Sequence, residues 1–146
     1  MLKIISRLRK DENGAALTEF AFILPVLVLA LLGVLDGWSL ANSVAGMRAG
    51  VDAAARYISQ GGTDYSAASS IGLQGWADPP QDANISISRS CACSGGAASC
   101  SVVCSDSKPP DVLVSIVATG SWTAPFDTGL LPMSRPLQNE QVIRVR

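Results

Sequence analysis

The sequence predicts an α+β protein: a long N-terminal helix, transmembrane and then amphipathic, packs on a small antiparallel β-sheet domain with a disulfide-stapled hairpin. Three observations predict this class: an apolar run that continues into an amphipathic segment, three later segments with strand-like patterns, and four cysteines close together. Because the helix takes up the N-terminal third of the 146 residues, the remainder can bury only one small core. We therefore expect a single modest globular domain.

The composition excludes several classes of function. The formal net charge is −1, from 11 basic and 12 acidic residues, so the chain offers no basic surface for nucleic acid. It contains no histidine, which removes Ser-His and Cys-His nucleophile pairs and every His-ligated metal site. The other polar residues show no recognisable catalytic spacing. We expect no enzymatic activity, no cofactor and no metal, and a membrane-anchored enzyme is the least favoured alternative.

The apolar run from Ala15 to Leu35 is 21 residues long. As a helix it spans roughly 30 Å, the thickness of the hydrocarbon core of a bilayer. No A-x-A-like cleavage site follows at residues 35–38, which argues against an ordinary secretory signal peptide. We assign residues 15–36 to a transmembrane helix that stays in the mature protein.

The basic residues around this run predict its orientation. Four of them precede the run, opposed by only two acids, and the next basic residue is Arg48. By the positive-inside rule the N-terminus stays in the cytoplasm and the rest of the chain is exported. The four basic residues are Lys3, Arg7, Arg9 and Lys10.

Glu19 lies at the entrance of the apolar run, where a carboxylate needs an explanation. Within a spanning helix it costs about 2.5–3.5 kcal/mol unless it reaches the interface or finds a partner. One explanation places Glu19 near the lipid headgroups, where the helix dipole favours an anion and Asn13 serves as the N-cap. The other gives it a cationic partner within the membrane.

The second explanation follows from a resemblance. The order of basic leader, Gly14, four small or apolar residues, Glu19 and apolar helix resembles the class III signal of type IV pilins and pseudopilins. This resemblance implies that a membrane peptidase cuts after Gly14, removes residues 1–14 as a leader and makes Ala15 the new N-terminus. It also implies that Glu19 pairs with the freed amine of a neighbouring subunit.

The tetrapeptide TEFA at residues 18–21 and the LP pair at 24–25 narrow the resemblance to TadE-like minor pseudopilins of tight-adherence (Flp) pilus systems. The cysteine segment and the β-rich second half resemble that family more weakly, and DGW at 36–38 matches its acid and aromatic only loosely. The resemblance implies a role in pilus biogenesis and adhesion. The implied partners are the prepilin peptidase, other pseudopilins, the major Flp pilin, the inner-membrane assembly platform and the lipid bilayer. The alternative is an uncleaved bitopic scaffold or binding protein of a secretion complex.

Residues 37–60 are predicted to continue the helix as an amphipathic segment. Six apolar residues at alternating four- and three-residue steps form a heptad-like seam. We favour packing of this seam on the chain's own β-domain. The alternative is contact between subunits, for which the glycines at 46 and 50 would let two backbones approach. The seam residues are Leu40, Val44, Met47, Val51, Ala54 and Ile58.

Three other features of the long helix carry predictions. Pro25 removes a backbone hydrogen bond and predicts a kink or a locally melted turn. Trp38 lies where the helix leaves the bilayer, either as an interfacial anchor or as part of the helix–sheet core. Arg48, Asp52 and Arg56 follow one another at four-residue steps, which predicts a solvated face with weak ion pairs.

Residues 61–146 are predicted to form the exported, mostly β domain. Glycines end the long helix, and a second helix over residues 65–77 stops before two prolines. An apolar, proline-broken loop from 124 to 133 is expected to fold back over the sheet, with partner binding as the minority interpretation. The predicted strands cover residues 84–90, 111–122 and 139–146.

The cysteines are expected to form two disulfides in a glycine-rich hairpin, because the exported side of the membrane is oxidising. Sequence alone leaves three connectivities open, among which we favour 93 with 100 and 91 with 104. A Cys₄ zinc site is the alternative, weakened by the C-x-C spacing. A catalytic thiol is less favoured still, because no histidine is present to activate it. The residues are Cys91, Cys93, Cys100 and Cys104.

Overall fold

The computed structural model describes residues 12–126, 129 and 132–145, with the backbone alone for 12–16. These residues form two helices and one four-stranded antiparallel sheet, which confirms the predicted α+β class. In chain order the elements are α1 (Glu12–Ser59), α2 (Tyr65–Gly75), β1 (Asn84–Cys93), β2 (Gly96–Ala98), β3 (Asp111–Thr123) and β4 (Ser134–Val145).

The first helix runs for 48 residues without a break. Pro25 lies inside it, so the structure contains no melted turn there. The predicted N-cap at Asn13 is wrong, because the helix already includes Glu12. At the other end the N–H of Gly61 donates to Ile58 and the N–H of Gly62 donates to the carbonyl of Tyr57, both at 3.0 Å. With a φ of 95° at Gly61 this is a Schellman motif, a backbone conformation that favours glycine.

The second helix is capped by Asp64, whose carboxylate accepts hydrogen bonds from the backbone N–H groups of Ser66 and Ala67 at 2.9 and 3.1 Å. It ends two residues earlier than the sequence predicts. It crosses α1 so closely that a Cβ placed on Gly50 would lie 2.6 Å from the carbonyl oxygen of Gly72. The paired glycines of α1 therefore serve a contact within the chain.

The sheet has the strand order β2-β1-β3-β4. The long central strand β3 pairs with β1 through Ile116 opposite Ile87, and with β4 through Ser115 opposite Val142. The three predicted strands are confirmed, although β1 and β4 are longer than expected and β2 was not predicted. Alternate residues of β3 are buried under α1, which places the core between helix and sheet.

The core confirms that the apolar seam of α1 packs on its own domain. Met47, Val51, Ala54 and Ile58 are at most 2% exposed, and the other two seam residues pack against the same cluster. Trp76 at the end of α2 is equally buried. The strands contribute Ile85, Val114, Ile116, Ala118, Trp122 and Leu137.

The two ends of the sheet differ in what lies beside them. The C-terminal end of β3 lies against the part of α1 that follows the apolar run, because the indole N–H of Trp122 donates to the hydroxyl of Ser39 at 3.1 Å. The N-terminal end of β3, at Asp111, pairs with Ala92 next to the cysteine hairpin. The hairpin therefore lies at the end of the sheet away from the apolar run.

Candidate functional site: the apolar half of α1 and its junction with the domain

The apolar half of α1 stands clear of the folded domain. Every side chain from Leu17 to Leu31 is exposed, including Phe22 at 82%. Within the described residues, α1 is the one helix long and apolar enough to cross a membrane, with a mean hydropathy of 2.4 in its most apolar window. A run of exposed apolar side chains is unfavourable in water and favourable in lipid. The helix therefore indicates single-pass membrane insertion.

The residues of the predicted leader junction lie at the start of this helix. Gly14 and Ala15 are in its first turn, and nothing further is described of their surroundings. Glu19 follows one turn later with an exposed side chain. Within the described part of the chain, no basic side chain lies within ion-pair distance of Glu19.

Asp36 marks the junction between the two halves of α1. Its side chain is 1% exposed, and its Oδ1 accepts a hydrogen bond from the backbone N–H of Phe126 at 3.0 Å. Together with the Trp122–Ser39 bond, this fixes the start of the loop after β3 against the helix. The sequence signal for this residue is a lone acid that closes an apolar run.

The loop after β3 is tied down at its base. The N–H of Ala124 donates to the carbonyl of Met133 at 2.8 Å, and Ala124 packs against the core. Phe126 and Met133 remain 42% and 60% exposed. The positions 127, 128, 130 and 131 lie outside the described residues, so the predicted folding of the whole loop over the sheet stays a prediction.

A groove of about 1110 Å³ opens beside this junction. It lies between α1, the end of α2 and the end of β3, and Trp38 lines it with its side chain 67% exposed. The core role considered for Trp38 is therefore wrong. Two acids, Asp78 and Asp82, line the groove, and its described lining contains no basic residue. Hydrogen bonds from the hydroxyl and the backbone N–H of Ser121 lower the pKa of Asp82, which keeps that carboxylate charged.

The polar face of α1 is exposed as predicted, but its ion pairs do not form. Arg48, Asp52 and Arg56 are all exposed, and no ion pair links them in the described structure. The ion pairs found among the described residues join Lys108 to Asp106 and Arg144 to Asp111. Arg48 and Arg56 on this face of α1 are therefore exposed cations without an ion pair in the described structure.

All four cysteines are in disulfides, as expected, but the favoured connectivity is wrong. The bonds join Cys91 to Cys100 and Cys93 to Cys104. The strand register explains the difference: Cys91 lies opposite Ala98, and a turn after Ser99 then reverses the chain. Cys100 therefore lies beside Cys91, and the reversed chain places Cys104 beside Cys93.

The apolar half of α1, which contains Gly14 and Glu19 near its start, is exposed and joins a small disulfide-bonded domain. Residues 14–56 match the family model described as TadE-like protein. The predicted resemblance is confirmed over this TadE-like segment, which covers the apolar half of α1 and most of its packed half. A search of curated proteins and a search of solved structures found no match.

The TadE-like segment supports involvement in a tight-adherence pilus system and points to pilus-assembly partners in general. The family is structural rather than catalytic. No cluster of three potential metal ligands occurs among the residues that the structure describes.

Proposed function

We propose that this protein is a minor pseudopilin of a tight-adherence pilus machine. A prepilin peptidase cuts it after Gly14 on the cytoplasmic face of the inner membrane, and the domain that begins after the apolar run lies in the periplasm. The mature chain takes part in pilus assembly through its helix and has no catalytic activity. The bilayer, other pseudopilins, the major pilin and the assembly platform are its partners.

The observation that carries the proposal is the position of Gly14 and Glu19 relative to the exposed helix. Gly14 precedes, and Glu19 lies near the start of, a stretch from Leu17 to Leu31 in which every side chain is exposed and none is buried in the domain. The domain fold therefore gives no reason for the apolar character of that stretch. Insertion in lipid and packing against other subunits do give a reason.

The role of Glu19 follows from its cost in lipid. A carboxylate at the centre of a spanning helix costs about 2.5–3.5 kcal/mol of insertion free energy, and one nearer the entrance keeps part of that cost unless it reaches the interface or a cation compensates it. Cleavage after Gly14 creates an α-ammonium group on Ala15, four residues away along the helix. Within one chain the amine and the carboxylate are neighbours at i and i+4, about 6 Å apart along the axis, and we propose that in the assembly they pair between two chains instead. The amine of a neighbouring chain displaced by that distance lies level with Glu19.

Processing is tested by Gly14→Val in the full chain expressed with its peptidase. We expect the variant to keep all 146 residues in the membrane fraction, measured by intact mass. Gly37→Val is the matched control, because a side chain at Gly37 meets nothing within 4 Å, and it should be shortened normally. A Gly14→Val chain of normal mature mass would contradict the cleavage site.

Charge pairing is tested by Glu19→Ala and Glu19→Gln. Both variants should be cleaved normally and fail to join other subunits, measured by co-purification with the pilus components from membranes. Asp52→Ala removes an exposed acid from the packed half of the same helix and should assemble like the unmodified chain. Normal assembly of the Glu19 variants would remove the pairing role, and retention of residues 1–14 in the working protein would favour the uncleaved scaffold.

A further inference from the structure

The groove at the junction has the charge and the lining to hold a cation. Its described lining carries Asp78 and Asp82 without a basic residue, and the exposed indole of Trp38 forms part of its wall. A guanidinium group binds carboxylates by hydrogen bonds and stacks on aromatic faces. Asp82 is already held by Ser121, whereas Asp78 is exposed and has no ion pair in the described structure. Asp78 is therefore the available acid.

The same chain carries a cation that fits this site. Arg48 is exposed on α1 and has no ion pair within the described structure. It precedes Ala49, which lines the groove, so its side chain is rotated by about 100° from the groove side of the helix. Arg48 therefore cannot serve as a wall of its own groove, and one chain presents the groove and the arginine on different faces.

Arg48 of one chain and Asp78 of its neighbour lie at similar levels along the helix axis once the two chains are staggered. This step rests on the proposed function. If the Ala15 amine of one chain lies level with Glu19 of the next, the chains are displaced by four residues, about 6 Å. Arg48 of the chain that supplies Glu19 is then level with residue 44 of the chain that supplies the amine. Asp78 follows Ala77, whose carbonyl lies 3.0 Å from the Cβ position of Gly46. Residues 44 and 46 differ by about 3 Å along the axis.

We propose that Arg48 of a second copy of this chain enters the groove and pairs with Asp78. The contact is heterologous, because groove and arginine lie on different faces of one chain. It therefore lets each copy bind one neighbour through its groove and another through its arginine, as in a growing filament. The occupant of the groove is the second copy, and it adds a periplasmic ion pair to the contact made in the membrane.

The test uses the full chain in membranes with its pilus machinery, with a photoreactive amino acid in place of Ala45, an exposed residue of the groove wall. We expect a cross-linked dimer whose linked peptide lies around Arg48. Arg48→Asp and Asp78→Arg should each lower the dimer yield by up to about five-fold, the factor for an ion pair of ~1 kcal/mol. The two changes in one chain should restore the yield, because the pair re-forms with its charges exchanged.

Two further variants distinguish loss of the proposed contact from misfolding of the variant chain. Asp78 has a φ of 51°, which asparagine tolerates better than arginine, so Asp78→Asn should lower the yield without strain. Asp106→Arg reverses an exposed acid next to the cysteine hairpin, far from the groove, and should leave the dimer yield unchanged. A dimer yield insensitive to both reversals, or cross-linking of Ala45 to lipid or to another protein, overturns the proposal.

The N-terminus of the same sample separates this proposal from the proposed function. If the chain starts at Ala15 and assembles through Glu19, but its dimer yield does not change with the charge reversals, the proposed pseudopilin function stands and the groove contact is wrong. If the chain keeps residue 1 and the double variant restores the dimer yield, the groove contact stands and the proposed pseudopilin function is wrong. A chain that keeps residue 1 and shows no rescue loses both.

Discussion

The two halves of α1 form one continuous helix, yet they meet different surroundings. Ile23 in the apolar half is 54% exposed, whereas Ile58 in the packed half is 2% exposed. Residues 20–35 of the apolar half are apolar on every face, and the packed half has one apolar face with charged residues on the other. The difference shows that the distribution of polar residues around the helix, more than the number of apolar ones, separates a segment suited to lipid from one suited to a domain core.

Shortening one isoleucine in each half should affect the stability of the domain very differently. Ile58→Ala leaves a cavity between helix and sheet and should lower the free energy of unfolding by about 2–5 kcal/mol. Ile23→Ala should leave domain stability unchanged, because its side chain contacts no core residue. Denaturant unfolding of the full chain in detergent, followed by the fluorescence of buried Trp76 and Trp122, measures both. Equal losses in the two variants would contradict the separation of the halves.

A charge placed in each half of α1 should affect membrane insertion differently. Leu27→Arg puts a guanidinium in the middle of the apolar run and should cost about 2.5–3.5 kcal/mol of insertion free energy. Ala41→Arg adds the same group to an exposed position of the packed half and should insert normally. Alkaline extraction of membranes measures the integral fraction of each chain. Loss of both variants from the membrane, or of neither, would count against the assignment of the two halves.

The third comparison concerns glycines of the same helix. Gly50→Ala places a methyl group 2.6 Å from a backbone oxygen of α2 and should cost about 1–3 kcal/mol of stability. Gly37→Ala meets open space, and alanine's better helix propensity should stabilise the helix by up to about 1 kcal/mol. The same unfolding experiment compares them. A neutral Gly50→Ala would mean that the two helices are not in close contact.

The helix and the sheet were largely predictable because their patterns are local. The seam from Leu40 to Ile58 repeats every three to four residues, and β3 is rich in β-branched residues. β4 was predicted too short because its first half contains Pro136 and lacks alternation. It extends to Ser134 because it is an edge strand, where a proline can face away from its neighbour.

The features that were missed depend on contacts between distant residues. The hydrogen bond from Phe126 to Asp36 joins positions 90 residues apart, so no local sequence pattern predicts it. The short strand β2 consists of glycine and alanine, which have low strand propensity, and it forms by pairing with β1. The disulfide connectivity depended on this register and on the reversal after Ser99.

The smallest expected effect concerns acid stability at the start of α2. Hydrogen bonds from the hydroxyl of Ser66 and from the N–H groups of Ala67 and Ser66 lower the pKa of Asp64. A lowered pKa contributes stability at pH values above the unfolded-state pKa of about 4 and loses it as the pH falls through the folded-state pKa. Asp64→Asn keeps a capping side chain without titration, so its stability should fall less steeply below about pH 4.

The acid-stability experiment compares unfolding midpoints at pH 7 and below about pH 4, near the carboxyl pKa range. Asp52→Asn is the control, because Asp52 is an exposed acid on α1 with no hydrogen bond or ion pair in the described structure. An Asp64→Asn chain as acid-sensitive as the unmodified one would show that this carboxylate contributes nothing to acid unfolding.

We propose that the exposed half of α1 serves assembly after processing, while the packed half serves the domain. N-terminal sequencing of the chain isolated from membranes that also contain its pilus partners tests this division of roles. We expect a sequence that begins at Ala15 with AALTEF. A functional chain that still begins at Met1 would contradict it, because the ammonium group proposed to compensate Glu19 would then never form.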